Sequence, residues 1–280
     1  MTAYRVYDVF TDRRYGGNQL AVFPDAEALP EAELQAIAAE FNFSEVTFVT
    51  PPTDPAHAAR VRIFTPTREV DFAGHPTIGT AICLHDLGFP PQMTLELGVG
   101  PIPCKVDANG AAFTTRQPLD ILARPAPALV AACLGLRPDA VRPDTHPPLQ
   151  ASLGLPFVIV ELTTRDCLSA CQPDIANLRK ASVLHPAGLD FAIFAYVRDG
   201  AQVSARMFAP LDNIPEDPAT GSASATLAAL LMQVTGQPQD LTIHQGDDMG
   251  RPSRIGARAR GDGVTISGKA VLVMEGNLVR

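Results

Sequence analysis

Four side chains stand where their types and spacing could move a proton on a small acid: Glu45, His75, Asp217 and Ser222. Glu45 opens the run Glu45-Val46-Thr47-Phe48-Val49 and follows Phe43, so its carboxyl is flanked by apolar side chains. A carboxyl that is partly desolvated in this way is suited to take and return protons near neutral pH. A solvated glutamate at a strand end is the equally supported alternative. His75 and Ser222 each follow a glycine in a motif that the chain writes twice. Arg62-Ile63-Phe64-Thr65-Pro66 runs on to Ala73-Gly74-His75-Pro76-Thr77, and Arg206-Met207-Phe208-Ala209-Pro210 runs on to Thr220-Gly221-Ser222-Ala223.

Each copy reads as a strand, a turn and a glycine that opens a helix. The first N–H groups of a helix lack intrahelical partners and carry the positive end of its dipole. A glycine there lets a ligand approach the backbone. Gly74-His75 and Gly221-Ser222 are therefore candidate donors to a carboxylate or an enolate-like oxygen. The alternative makes the glycines simple turn residues, with His75 and Ser222 as helix N-caps. Asp217 lies in the longer loop of the second copy, where proline to glycine takes eleven residues against eight in the first. Shifting the repeat by its offset of 144 residues (206 − 62) sets Leu189 opposite Glu45, so the carboxyl is not duplicated. Glu69, Asp71 and Glu216 read as ordinary loop charges.

The elements that must position these groups follow from periodicity. Residues 4–10, 20–23, 45–49 and 61–65 alternate or are β-branched and read as strands. Leu34, Ile37, Ala38 and Phe41 form one buried stripe of a helix that starts at Pro30 and ends at Asn42. Pro76 at a first helical position predicts a helix to about Gly88. Short strands follow at 93–97, 102–106 and 111–115, and the proline-rich stretch 118–127 reads as a linker. Beyond it come a helix at 126–134, strands at 156–162 and 190–197, a helix near 173–180 and a strand at 203–208. The helix at 222–235 carries the stripe Leu227, Leu230, Leu231 and Val234, and strands at 241–245, 253–260, 263–267 and 269–274 complete the order. This predicts an α+β protein of two similar halves, 1–120 and 121–280, each a curled, mostly antiparallel sheet around a central helix. The last strands are the ones placed to return to the first half.

Composition limits the partners. A net charge of −8 argues against a nucleic-acid backbone, which needs a basic face. No run reaches the roughly 18 apolar residues of a membrane helix, and the first residues enter strand-like sequence without a signal-peptide core. A cytoplasmic location is the expectation. The five cysteines are scattered, with no disulfide framework and no zinc-ligand spacing, so reduced, mostly buried thiols are expected and no metal.

Several blocks together resemble the PhzF family, the phenazine-biosynthesis isomerases. They are Gly17-Asn18 with Ala21-Val22-Phe23, Asn42-Phe43-Ser44-Glu45-Val46-Thr47-Phe48-Val49, both copies of the arginine motif, Phe72-Ala73-Gly74-His75-Pro76 and Glu216-Asp217-Pro218-Ala219-Thr220-Gly221-Ser222-Ala223. Gln245-Gly246 and Met249-Gly250-Arg251-Pro252-Ser253 complete the set, which spans nearly the whole chain in order. The resemblance implies a diaminopimelate-epimerase-like fold of two pseudo-symmetric halves, with the active site in the cleft between them. It also implies catalysis without a cofactor, a small acidic substrate and a homodimer. The family's glutamate base maps onto Glu45, and its histidine, aspartate and serine map onto His75, Asp217 and Ser222. Asn18, Gly74, Thr220 and Gly221 are then expected to bind substrate. The type member of the family acts on trans-2,3-dihydro-3-hydroxyanthranilate.

Cysteine-dependent racemases of this fold carry a thiol just before each glycine; here those positions are Ala73 and Thr220, which argues against two-thiol inversion. Gln19 stands where many relatives have proline, a local turn change. A proton-shifting isomerase is therefore the expected function. A racemase, epimerase or lyase using Glu45 and Asp217 is the alternative, and a non-catalytic binder the third. Neutral His75 or protonated Asp217 are both open as donors to the developing charge.

Overall fold

Strand-forming stretches separated by two long small-residue helices can bury their apolar faces only by curling sheet around helix. The computed structural model describes residues 1–279 and divides into two compact units, one of Met1–Thr115 with the chain from Thr265 onward, the other of Arg116–Val264. In the first unit the strands lie side by side in the order Ala270–Leu278, Thr2–Val9, Asn18–Phe23, Glu45–Thr50, Ala59–Phe64, Gln92–Leu97, Gly100–Asp107 and Gly110–Thr115. In the second the order is Asp120–Ala123, Leu149–Ser152, Pro156–Glu161, Ile193–Asp199, Gln202–Ala209, Gln239–Gln245 and Ser253–Arg260.

The first six pairings of the longer order repeat the strand senses of the shorter one: antiparallel, antiparallel, parallel, antiparallel, parallel, antiparallel. Parallel neighbours need a crossover, usually a helix. The second parallel pair of each unit is joined by the helix its glycine opens, Gly74–Asp86 in one and Gly221–Thr235 in the other. The duplicated motif is therefore the leading half of a strand–helix–strand crossover, and this arrangement fixes each helix N-terminus relative to its own sheet.

Both crossover helices are enclosed. Every residue from Gly74 to Leu84 is buried, and the helix packs on the strands Thr2–Val9, Asn18–Phe23, Glu45–Thr50, Gly100–Asp107 and Gly110–Thr115. Gly79 permits the closest approach, because a Cβ there would stand 2.5 Å from Leu20 Cδ2 and 2.7 Å from Val9 Cγ2. Helix Gly221–Thr235 buries Leu227, Leu230 and Leu231, but Val234 is 44% exposed. The predicted four-residue stripe thus ends one turn early, where the helix leaves its sheet. Separate apolar clusters lie under the Glu31–Phe41 helix, around Phe23, Phe48 and Phe64, and under the Pro127–Cys133 and Ile175–Leu184 helices, around Val158, Val160 and Phe208.

Local differences from the sequence reading have simple causes. The first crossover helix starts at Gly74 rather than Pro76, which sits inside its first turn, where a missing N–H costs nothing. The proline-rich stretch holds an edge strand, Asp120–Ala123, because prolines flank it without interrupting its ladder. Leu149–Ser152 escapes an apolar-run search because Gln150 and Ser152 are polar, although all four residues are buried.

Candidate active site

The internal repeat gives a residue-level alignment of the two units. Val46 pairs with Phe64 in one, and Ile193 pairs with Phe208 in the other. Glu45 therefore corresponds to Ala192, not to the Leu189 obtained by a constant shift, because the connection from this strand to the arginine strand is longer in the first unit than in the second. Ile63 pairs with Val70 and Met207 with Asp217, so the counterpart of Asp217 is Val70. Each carboxyl has an apolar counterpart, so neither belongs to the scaffold that both units share.

In the first unit, Asn18 and Glu45 begin two adjacent parallel strands, with Leu20 beside Glu45 in register. His75 is the second residue of the helix that packs over them. His75 Nδ1 lies 3.3 Å from Glu45 Oε2 and 3.4 Å from Asn18 Nδ2. The Glu45 side chain keeps 15% of its surface exposed while His75 keeps 4%. Burial pushes the imidazole pKa down from 6.5 to about 3, against a smaller upward pull from the backbone of Gln19. His75 is therefore neutral, and its contact with Glu45 is not an ion pair.

In the second unit, Asp217 is 5% exposed at the end of the strand Ile214–Asp217. Thr220 Oγ1 donates to Asp217 Oδ2 at 2.5 Å. Gln245, 1% exposed at the end of strand Gln239–Gln245, holds the same loop. Its Nε2 donates to Asp217 O at 2.7 Å and to Thr220 Oγ1 at 2.9 Å, and its Oε1 accepts from Thr220 N at 3.1 Å. Ser253 Oγ donates to Pro218 O at 2.6 Å. Gly246 completes the clamp with φ +80°, where a Cβ would stand 2.3 Å from Arg251 O and 2.7 Å from Pro218 O.

The N-caps of the two helices are Ala73 and Thr220, and neither makes a side-chain cap hydrogen bond. The alternative that made His75 and Ser222 the caps is corrected. The hydroxyls of Thr77 and Ser224 instead donate back to Ala73 O (2.7 Å) and Thr220 O (2.9 Å), fixing the cap carbonyls and not the first N–H groups. Ser222, partly exposed, follows the buried Gly221 at the second helix start.

The motif arginines serve the scaffold. Arg62 pairs with Glu31 and Glu69 and stacks on Phe64, while Arg206 pairs with Glu216 (2.7 and 2.8 Å) and stacks on Phe208. Arg206 also donates to the carbonyls of Leu168, Ser169 and Cys171. Glu69 and Glu216, read from sequence as loop charges, are the matching carboxylate partners in the two copies, whereas Asp71 is exposed. Gln245 was visible in the sequence only as part of a block, since a glutamine at a strand end carries no signal of what it will bond. Among the described residues there is no cluster of three or more potential metal ligands, and no helix is long and apolar enough to cross a membrane.

The strand order, with its helix crossovers, is that of the diaminopimelate-epimerase-like α+β fold, which the chain shares with its structural neighbours, and the chain is an isomerase. The profile of the family described as phenazine biosynthesis-like protein matches residues 7–276, and the chain belongs to this PhzC-PhzF family. It is 37% identical over 298 residues to an uncharacterized isomerase of Mesorhizobium japonicum, covering 98% of each chain. It is also 37% identical over 289 residues to the trans-2,3-dihydro-3-hydroxyanthranilate isomerase of Pseudomonas aeruginosa, covering 99% of each. In structure it is similar to a PhzF-family phenazine biosynthesis protein of Bacillus anthracis, with a TM-score of 0.86, 24% identity and coverage of 100% and 99%.

Proposed function

We propose that the chain is a cofactor-independent isomerase that moves a proton between carbons of a small carboxylate-bearing substrate, with Glu45 as the group that takes and returns it. The observation that carries this reading is the Glu45 carboxyl 3.3 Å from a neutral, buried imidazole. Neutral His75 suits both states of such a base. With Glu45 ionised, a tautomer carrying its hydrogen on Nδ1 would face Oε2, with the Asn18 amide turned to present its oxygen to the same nitrogen. With Oε2 protonated, Nδ1 accepts and the imidazole hydrogen sits on Nε2. The charge of the carboxyl changes during turnover while its neighbour stays uncharged.

Removal of a carbon-bound proton leaves negative charge spread over the conjugated substrate and its carboxylate. Helix N-terminal N–H groups, those of Gly74 and His75 and those of Gly221 and Ser222, suit that charge. Asp217 and Ser222 are proposed to serve the same reaction, with Asn18 and Thr220 as substrate-binding neighbours. The proposed substrate is trans-2,3-dihydro-3-hydroxyanthranilate, on the strength of the Pseudomonas aeruginosa relative. Neither Ala73 nor Thr220 supplies a thiol, which weighs against cysteine-based inversion.

The test is to incubate the purified chain with that compound in D₂O and follow it by proton NMR. Double-bond migration with deuterium appearing at one carbon supports the assignment. Exchange without migration would replace it by racemisation or epimerisation, and neither migration nor exchange would remove the substrate.

A further inference from the structure

The hydrogens around Asp217 can be assigned from bonding capacity alone. Both N–H bonds of the Gln245 amide are committed to acceptors, Asp217 O and Thr220 Oγ1, and its carbonyl is committed to a donor, Thr220 N. A flipped amide would set donor against donor and acceptor against acceptor, so its orientation is fixed. Thr220 Oγ1 therefore receives a hydrogen from Gln245, and its own hydrogen must go to Asp217 Oδ2, 2.5 Å away. Thr220 and Asp217 are both under 10% exposed, so water is poorly placed to reverse this assignment. Charged side chains nearby in the fold are otherwise engaged: Glu216 with Arg206, and Asp248 with Arg165 and Ser169.

We propose that Gln245 is a positioning residue that acts through Thr220, directing the threonine hydroxyl hydrogen at Asp217 Oδ2 and thereby keeping Asp217 a hydrogen-bond acceptor. Asp217 then receives a proton or an N–H or O–H group of the substrate instead of donating one. Of the two protonation states open in the sequence, the relay favours the carboxylate, because a hydroxyl donates more strongly to a charged oxygen than to that of a neutral carboxyl. It also gives the position before the second glycine a purpose: a thiol there would be a weak donor, whereas threonine supplies a strong one. The substrate class follows. Besides the carboxylate suited to the helix N-termini, it carries an amine or hydroxyl for Asp217. The catalytic meaning of this relay rests on the function proposed above, but the relay itself is read in the protein without substrate.

The experiment is carbon-13 NMR of the protein labelled at aspartate Cγ, with the Asp217 signal assigned by its loss in Asp217→Asn. Relative to the unaltered chain, Thr220→Val and Gln245→Met are expected to raise the Asp217 titration midpoint by about one to two pH units, the effect of losing one hydrogen bond to a charged acceptor. Thr220→Ser, which keeps the hydroxyl, is expected to leave it within about a few tenths of a unit of the parent. A folded Thr220→Val protein with an unchanged midpoint overturns the relay. So does a Thr220→Ser midpoint that moves as far as that of valine. If Gln245→Met fails to fold, the two Thr220 variants decide the matter alone. Failure of the isomerase assay with a shifted midpoint would remove the function and leave the relay.

Discussion

Replacing Glu45 by glutamine separates chemistry from structure. The two side chains have the same shape, and Glu45 keeps only 15% of its surface exposed next to His75 Nδ1. Because burial holds His75 neutral, glutamine breaks no ion pair; its amide can accept from Nδ1–H or donate to Nδ1. The stability change should therefore stay below about 1 kcal/mol, the scale of one exchanged hydrogen bond. Were His75 protonated, the same substitution would strand a buried charge and cost about 3–5 kcal/mol. Proton transfer, in contrast, loses its carrier. General acid–base catalysis contributes about 10²–10⁴-fold, or about 2.7–5.5 kcal/mol of barrier at 1.36 kcal/mol per decade. The assays are urea unfolding and the rate of deuterium incorporation from D₂O into trans-2,3-dihydro-3-hydroxyanthranilate. A variant that keeps more than about a tenth of the parent rate refutes Glu45 as the base, and one destabilised by several kcal/mol refutes a neutral His75.

The remaining expectations concern the scaffold and its titrating groups. Arg206→Met should destabilise by about 3–5 kcal/mol, because it strands Glu216 and three carbonyls, whereas Arg62→Met, whose partners are more exposed, should cost about 1 kcal/mol; equal losses in urea unfolding would contradict this asymmetry. Gly246→Ala should cost about 3 kcal/mol through its positive φ and the crowding of Arg251 O and Pro218 O, and unfolding curves that overlay the parent would count against the clamp. Burial lowers the pKa of both His75 and His146, so below about 6.5 the unfolded chain binds protons that the folded one refuses. Stability should fall as pH drops from about 6.5 toward 3, by up to about 1.4 kcal/mol per pH unit for His75, with His146 adding in the same direction; a flat profile there in chemical denaturation would refute the assignment. Burial pushes the thiols of Cys83, Cys104 and Cys171 up to about 12 and that of Cys133 to about 11, while hydrogen bonds from Thr163 and Thr164 lower that of the partly exposed Cys167. Native protein should therefore react with a thiol reagent first at Cys167, as peptide mapping would show.

The repeated unit and its kind are legible in the amino-acid sequence. Period-two strands, two small-residue helices opened by glycines and a motif written twice point to two units of sheet packed on helix, an arrangement that buries the apolar faces of both. It also presented Glu45, His75 and Ser222, since each stands beside a glycine or an apolar run where its type is out of place, and Asp217, in the loop by which the second copy exceeds the first. The use of each polar group was settled by the fold. The partners of Arg62 and Arg206, the correspondence of Glu45 to Ala192 and of Asp217 to Val70 in the repeat, and the Gln245 clamp all depend on strand register. Register is set by contacts between residues far apart in the chain, and a shift of one position turns every side chain to the other face. The neutrality of His75 is likewise a property of burial, which a histidine codon does not carry. Sequence placed the acid–base groups in order along the chain; the fold decided which of them hold a charge and which hold each other.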